Sequence, residues 1–134
     1  TARACRKELQ TLRETIGTVT EEPCVFFRIP GGEYNNEVLR TVYACGSYPV
    51  AWSIDSLDWK DYGADSIVDT VLNHKALGDG AIILMHNGAK YTKDALERVI
   101  TGLQDKGYEI VPISQLIYSE NYHMDNTGRQ FKDE

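Results

Sequence analysis

The chain has 134 residues, 42% hydrophobic and 25% charged, which argues against disorder and indicates one globular core rather than two. Its net charge of -6 argues against nucleic acid or an anionic membrane as the main partner. No apolar run is long enough to insert across a bilayer, and three widely spaced cysteines indicate neither a zinc cluster nor a disulfide framework.

Helical and strand patterns alternate along the first part of the chain. Apolar side chains recur on one helical face through residues 2–16. A β-branched and aromatic run at residues 24–27 predicts a strand. A second helix is expected to start at a cap formed by Asn35 or Asn36, and residues 48–52 predict a second strand.

The same alternation continues through the second part of the chain. Residues 64–77 predict a helix, residues 81–85 a central strand that is apolar on both faces, and Thr92 the cap of a third amphipathic helix. The side chains expected to point inward from that helix are Leu96, Val99, Ile100 and Leu103. Residues 108–111 predict a short strand, and residues 121–134 a polar, loosely held tail. This order predicts an α/β fold of parallel strands with covering helices.

Side chains suited to chemistry follow three of the predicted strands. Arg28 follows the first strand, Asp55 and Asp58 follow the second, and His86 follows the third. Because the carboxyl ends of parallel strands meet at one edge of a sheet, we expect Arg28, Asp58 and His86 to converge on one cleft.

His86 is the strongest single candidate for acid–base chemistry. Histidine side chains ordinarily titrate at about pH 6.5, which suits proton transfer near neutrality. The alternative is a loop histidine that bonds a carbonyl group. Asp55 and Asp58, which follow the neighbouring strand, could pair with His86 and so favour the catalytic interpretation. No such pairing is expected for His74 or His123, to which we assign no role.

The acidic stretch at residues 55–59 has three interpretations. Asp55 and Asp58 are metal ligands, a general acid/base pair or residues that cap a turn. Trp59 beside a carboxylate suits a site that binds the face of a sugar, and core packing is the alternative. Asp-x-x-Asp alone is common, whereas the added tryptophan makes the pattern more specific.

Arg28 and the glycines after it form the third candidate. The guanidinium can hold a carboxylate in one orientation, and a salt bridge beside a turn is the alternative. Gly31 and Gly32 leave backbone N–H groups able to face a developing oxyanion. The glycine spacing is not that of a phosphate-binding loop, so the pattern does not indicate nucleotide binding.

Taken together, these sites resemble the polysaccharide deacetylases, the NodB-homology domains of carbohydrate esterase family 4. Arg-Ile-Pro-Gly at residues 28–31 resembles the third motif of that family. Asp-Ser-Leu-Asp-Trp at residues 55–59 resembles the fourth motif, and Leu-Met-His at residues 84–86 the fifth. The resemblance covers residues 26–116 and implies part of a distorted (β/α) barrel, the NodB-homology fold. Residues 1–134 would be the carboxyl-terminal portion of such a deacetylase domain.

The resemblance also implies roles for individual residues. His86 would be the general acid that protonates the leaving amine, with Asp58 tuning the ring. Arg28 would orient a catalytic aspartate. The residues implied to bind substrate or to form the oxyanion hole and groove wall are Trp59, Leu84, Gly31, Tyr34 and Asp55.

The chain departs from the family pattern at its metal site. The family holds a divalent metal, usually zinc, through a Thr-Phe-Asp-Asp motif and a His-x-x-x-His motif, and neither occurs in these residues. We therefore assign no metal ligand within the chain, and expect the chain alone to bind zinc poorly and to be inactive. A separate amino-terminal fragment or a second copy is expected to complete the fold, because a barrel that lacks strands exposes unpaired edges.

The leading functional interpretation is metal-dependent de-N-acetylation of a cell-wall polysaccharide. Peptidoglycan N-acetylglucosamine is the first substrate class and chitin-type oligomers the second, with extracytoplasmic action in a bacterium. The alternative is a catalytically inactive carbohydrate-binding or interaction module that lacks the metal site. An unrelated α/β hydrolase would need a Gly-x-Ser-x-Gly elbow, which the sequence lacks.

Overall fold

A computed structural model describes residues 2–125 and 127–133 of the chain. The chain divides into two compact units, Thr1–Ala51 and Trp52–Glu134. They are called the amino-terminal and carboxyl-terminal units below.

The amino-terminal unit consists of two helices and one pair of parallel strands. Its elements in order are α1 (Ala2–Thr20), β1 (Phe26–Phe27), a 3-10 turn (Pro30–Gly32), α2 (Asn36–Ala44) and β2 (Tyr48–Pro49). Asn35 caps α2, because its side chain accepts the N–H of Val38 at 3.0 Å. Leu9 of α1 and Val42 of α2 are buried and form the apolar centre of this unit.

The carboxyl-terminal unit contains a second parallel strand pair, three helices and a hairpin. Its elements in order are β3 (Ile54–Asp55), a 3-10 turn (Asp58–Lys60), α3 (Ala64–Leu72), β4 (Ile83–Leu84), α4 (Thr92–Asp105), α5 (Ile113–Leu116), β5 (Tyr122–Met124) and β6 (Gln130–Lys132). Strands β3 and β4 are parallel, with Asp55 opposite Leu84. The carboxyl ends of these two strands therefore share one edge.

The core of the carboxyl-terminal unit lies between α3 and α4. Its buried side chains are Ile67, Val71, Ala95, Val99 and Leu103. The predicted inward face of α4 was therefore wrong in part, because Leu96 and Ile100 are exposed. Positions 95, 99 and 103 recur every four residues, so Ala95 lies on the buried face of α4 together with Val99 and Leu103.

Other expectations about the lengths of elements also differ from the structure, and the helix predicted at residues 64–77 ends at Leu72. The second predicted strand ends at Pro49, and β3 begins separately at Ile54. The apolar run at residues 81–85 is only half-buried, and within the described residues its strand β4 pairs with β3 alone. Residues 108–111 do not form a strand. Each of these strands has only two residues in the hydrogen-bonded ladder. A run of apolar residues reports burial and not ladder hydrogen bonds, so it overestimates the length of the strand.

The predicted loose tail at residues 121–134 was wrong for the described part of that segment. Strands β5 and β6 pair in antiparallel fashion. The Asp125 carboxylate accepts the N–H groups of Thr127 and Arg129 and so closes the turn. The Gln130 side chain exchanges two hydrogen bonds, each 2.9 Å, with the backbone of Tyr118. Local polar bonds rather than apolar burial hold this hairpin, which explains why a hydrophobic pattern did not predict it.

Candidate active site

The carboxyl-terminal unit brings Asp58 and His86 into direct contact. The Nδ1 atom of His86 lies 2.7 Å from Oδ1 of Asp58, and the backbone N–H of His86 donates to Oδ2 at 2.7 Å. The hydroxyl of Thr92 donates to the same Oδ2 at 2.7 Å. The carboxylate is thus held by three hydrogen bonds from two residues, at the edge where β3 and β4 end.

The two side chains of this pair differ sharply in exposure. The Asp58 side chain is 0% exposed, whereas that of His86 is 40% exposed. A buried carboxylate that accepts from Nδ1 fixes the neutral imidazole as the Nδ1–H tautomer. The Nε2 atom is then the unprotonated nitrogen of the neutral ring.

Two opposing effects act on the ionisation of Asp58. Burial removes water and by itself would raise the pKa of the carboxyl group. The hydrogen bonds from the His86 backbone, the Thr92 hydroxyl and the His86 ring stabilise the charged form and outweigh burial. The pKa of Asp58 is therefore lower than its ordinary value, and the group is a carboxylate at neutral pH.

A tight turn after β3 places Asp58 in this position. Leu57 adopts a left-handed backbone conformation with φ of 56°, which costs free energy for a non-glycine residue. The Asp55 carboxylate accepts the Leu57 N–H at 2.9 Å and supports that conformation. Buried Ser56 accepts the N–H of Asp58 at 3.4 Å. Asp55 therefore ends β3 itself and acts as a turn residue, one of its three predicted interpretations.

Trp59 projects from the same turn and remains 55% exposed, so it is not a core residue. Its indole N–H donates to Asp55 at 3.4 Å, a long bond that orients the ring weakly. The Lys60 ammonium lies 5.1 Å from the centre of the ring. An exposed indole beside carboxylates is a surface on which a sugar ring can stack.

The remaining predicted site residues lie in both units. Leu84 is half-buried in β4, opposite Asp55. In the amino-terminal unit Arg28 directly follows β1, and Tyr34 is exposed. Gly31 has a φ of 70°, and a Cβ built there would meet no atom within 4 Å. The convergence of Arg28 with Asp58 and His86 on one cleft stays a prediction.

The described residues do not provide a metal centre. No group of three His, Cys, Asp or Glu side chains within residues 2–125 and 127–133 is arranged to hold a metal ion. A zinc site needs at least three protein ligands, so the residues present do not fit a zinc ion. Asp58 in particular is already engaged by three donors, which argues against its interpretation as a ligand.

Thr92 is a member of the site that sequence reasoning missed. Its position before an amphipathic run predicted a helix cap, but α4 begins after Tyr91 without a capping side chain. The Thr92 hydroxyl instead reaches Asp58 across 34 residues of sequence. Only its position six residues after His86, at the start of a helix, could have drawn attention to it.

Similar curated proteins are polysaccharide deacetylases, although no protein-family model matches the chain. The chain is 33% identical to the peptidoglycan-N-acetylmuramic acid deacetylase of Bacillus subtilis over 111 residues, which cover 82% of this chain and 22% of that protein. It is 36% identical to the peptidoglycan-N-acetylglucosamine deacetylase of Bacillus cereus over 102 residues, 72% of this chain and 46% of that protein. The chain thus spans less than half the length of these relatives.

Similar solved structures have the same fold. A family 4 carbohydrate esterase from Streptomyces lividans, in complex with acetate, matches with a TM-score of 0.78 and 28% identity over 100% of this chain and 63% of that chain. A family 4 pseudoenzyme from Bacillus anthracis matches with a TM-score of 0.80 and 28% identity over 87% of this chain and 40% of that chain. The predicted α/β class and partial barrel are confirmed. The chain belongs to the polysaccharide deacetylases of carbohydrate esterase family 4 and matches part of their NodB-homology domain.

Proposed function

We propose that this chain is part of an enzyme that removes N-acetyl groups from cell-wall polysaccharide. Peptidoglycan N-acetylglucosamine is the first proposed substrate class, and chitin-type oligomers are the second. The relatives named for these substrates support the choice. The single observation that carries the proposal is the contact between buried Asp58 and exposed His86, which holds a histidine ring at the edge of a parallel strand pair.

In the proposed reaction His86 is the general acid. A carboxylate base takes a proton from water as the water oxygen adds to the acetyl carbon, the amide C–N bond then breaks, and the departing nitrogen takes a proton to leave as an amine while acetic acid is released and ionises to acetate. The proton comes from Nε2 of the His86 imidazolium, since Nδ1 is engaged by Asp58. The negative carboxylate stabilises the imidazolium without itself accepting the proton.

Other residues are proposed to orient and contain the substrate. Trp59 stacks on a sugar ring, and Leu84 borders the acetyl group. Arg28 orients the carboxylate base, an aspartate of the Thr-Phe-Asp-Asp motif that further polypeptide would supply, and the Gly31 N–H faces the developing oxyanion. Tyr34 and Asp55 are proposed to line the groove, with Asp55 acting through the Trp59 indole.

We propose that residues outside this chain supply the ligands of the catalytic metal in the complete enzyme. Enzymes of this family are generally metal-dependent, whereas the described residues contain no group that could hold a metal ion. We propose that further polypeptide, as an amino-terminal piece or a second copy, supplies the divalent metal site, with zinc as the first choice. Such a piece would also cover β3 and β4, each of which has one strand partner among the described residues.

A second candidate function is binding of carbohydrate without catalysis. The missing metal-ligand group within the described residues favours it. So does the likeness to the Bacillus anthracis pseudoenzyme. In that case Trp59 would contribute to binding, and His86 would have no role in turnover.

The proposed place of action is the bacterial cell wall, outside the cytoplasm. The support is the peptidoglycan substrate in the names of similar proteins. Within the described residues, no helix combines the length and apolar character needed to cross a membrane.

A chimaeric enzyme tests the proposal. The matching part of the Bacillus cereus deacetylase is replaced by this chain, and acetate release is measured on N-acetylglucosamine oligomers and on peptidoglycan. We expect turnover, and we expect His86→Gln to lower kcat by about 10²- to 10⁴-fold. His74→Gln is the matched control, since the His74 ring accepts the backbone N–H of Ala76, two residues away, and lies outside the proposed site. Oligomer binding without acetate release by the chimaera would favour the binding module instead.

A further inference from the structure

Among the described residues, Thr92 supplies the one side-chain or backbone hydrogen bond to the Asp58 carboxylate that does not come from His86. The other two donors are the ring and the backbone N–H of His86 itself. The Thr92 hydroxyl lies 2.7 Å from Oδ2, on the first residue of α4, a helix of 14 residues. Three separate parts of the chain, the turn after β3, the end of β4 and the start of α4, therefore meet at one carboxylate.

We propose that Thr92 is a positioning residue, which acts through Asp58 to hold the His86 ring as the Nδ1–H tautomer with Nε2 available for proton transfer. A carboxylate can rotate about its Cβ–Cγ bond and exchange its two oxygens. The Thr92 hydroxyl and the His86 N–H together occupy Oδ2, so that Oδ1 remains directed at Nδ1. Removal of the hydroxyl leaves the orientation of the carboxylate to His86 alone.

Other roles for the hydroxyl do not account for this geometry. It does not cap α4, because the residue before the helix is Tyr91 and no capping side chain is present. It differs from the hydroxyl of Thr101 on the same helix, which donates to the Glu97 carbonyl one turn earlier at 2.9 Å. The Thr92 hydroxyl instead donates to a fully buried carboxylate. A hydrogen-bond donor at that place stabilises the charged form of the carboxylate.

The position of Thr92 adds a second electrostatic contribution. The first turn of a helix carries partial positive charge from its unpaired N–H groups. Asp58 is bonded to a side chain of that turn, so the helix favours the ionised form of the carboxylate as well. The carboxylate that orients His86 is thus stabilised from α4 by a hydroxyl and by the helix terminus.

The test is nitrogen NMR of the histidine rings in the 134-residue chain, without substrate. The variants are Thr92→Val, which removes the hydroxyl at nearly constant volume, and Thr92→Ser, which retains it. Thr101→Val is the matched control on the same helix. His74 is an internal reference, because its Nδ1 accepts the Ala76 N–H and its neutral form must be the opposite, Nε2–H tautomer.

We expect Thr92→Val to raise the ratio of the Nε2–H to the Nδ1–H form of His86 about fivefold, from partial loss of one charge-assisted hydrogen bond. Thr92→Ser and Thr101→Val should keep the wild-type ratio, and the His74 ratio should not change in any variant. A wild-type ratio in folded Thr92→Val overturns the proposal. If Thr92→Val does not fold, Thr92→Ala is compared with Thr92→Ser, and equal ratios in those two also overturn it.

The catalytic meaning of this inference rests on the proposed function, but its test does not. A shifted tautomer ratio with no deacetylation by the chimaera rejects the function and leaves the positioning role intact. An unchanged ratio with an active chimaera rejects the positioning role and leaves the function. With both intact, Thr92→Val should lower kcat of the chimaera more than it changes KM, and Thr92→Ser should restore kcat.

Discussion

The Nδ1 atom of His86 lies 2.7 Å from Oδ1 of Asp58, although 28 residues of sequence separate the two. The Asp58 side chain has no exposed surface, whereas the His86 side chain is 40% exposed. The orientation of an accessible ring is therefore set by a charge in the interior. Replacement of the buried Asp58 should therefore lower the free energy of unfolding as well as the activity.

The first prediction concerns stability at acid pH. Burial opposes the charge of Asp58, but three hydrogen bonds outweigh it and lower the pKa of the carboxyl below its unfolded value of about 3.9. A group with a lowered folded pKa contributes stability above the unfolded pKa, and loses it as the pH falls through the folded pKa. We expect the free energy of unfolding to fall as the pH is lowered below the unfolded pKa of about 3.9, as measured by urea titration.

Asp58→Asn should remove this part of the pH dependence and lower the free energy of unfolding at pH 7 by about 3 kcal/mol. Asp125 needs control, because the Thr127 hydroxyl and nearby backbone N–H groups lower its pKa as well. Both proteins are therefore compared in an Asp125→Asn background. An equally steep acid loss with and without Asp58 would contradict the prediction.

The second prediction concerns the face that α4 presents to the core. Leu103 is 5% exposed and packs against α3, whereas Leu96 on the same helix is 43% exposed. We expect Leu103→Ala to cost about 2–5 kcal/mol of unfolding free energy and Leu96→Ala less than about 1 kcal/mol. Thermal unfolding of the two variants measures the difference. Similar losses would indicate that Leu96 is covered by contacts other than those described.

The third prediction concerns metal binding by the chain alone. Because no three ligand side chains converge within the described residues, we expect zinc affinity weaker than micromolar and no acetate release by the isolated chain. Calorimetric titration with zinc and an assay on N-acetylglucosamine oligomers provide the measurement. Submicromolar affinity together with zinc-dependent turnover would show that ligands have been overlooked.

The fourth prediction concerns the exposed indole of Trp59. If a sugar stacks on this ring, Trp59→Ala should weaken binding of N-acetylglucosamine oligomers about tenfold, equivalent to about 1.4 kcal/mol. Phe131→Ala is the control, because Phe131 is also exposed but lies in the hairpin, where it stacks on His123. Equal losses in both variants would argue against a specific sugar surface at Trp59.

The fifth prediction concerns Arg28. A guanidinium that holds a carboxylate through two parallel hydrogen bonds cannot be replaced by an ammonium group. In the chimaeric enzyme Arg28→Lys should therefore lower kcat by about 10²-fold. Arg40→Lys, on an exposed position of α2, is the charge-matched control. Full activity of Arg28→Lys would remove Arg28 from the proposed site.

The strand-end chemistry of the chain was predictable from local sequence. Arg28 follows β1 and His86 lies just beyond β4, as expected from apolar runs that stop at polar residues, whereas Asp58 follows β3, a strand separate from the one predicted before it. Parallel pairing of β3 with β4 accounts for the meeting of Asp58 and His86 at one edge. These features depend on residue type and spacing, which a sequence displays directly.

Other features depend on contacts between distant residues, which residue type and spacing do not specify. As a helix cap the Thr92 oxygen would have accepted a backbone N–H, whereas in the fold its hydroxyl donates to the distant Asp58 carboxylate. Leu96 and Leu103 are equally apolar, yet the packing of α3 against α4 buries one of them and exposes the other. A hydrogen bond or an apolar face is satisfied by whichever partner lies within reach. Which partner lies within contact distance is decided by the folded chain, because folding brings together residues such as Asp58 and Thr92 that are 34 positions apart.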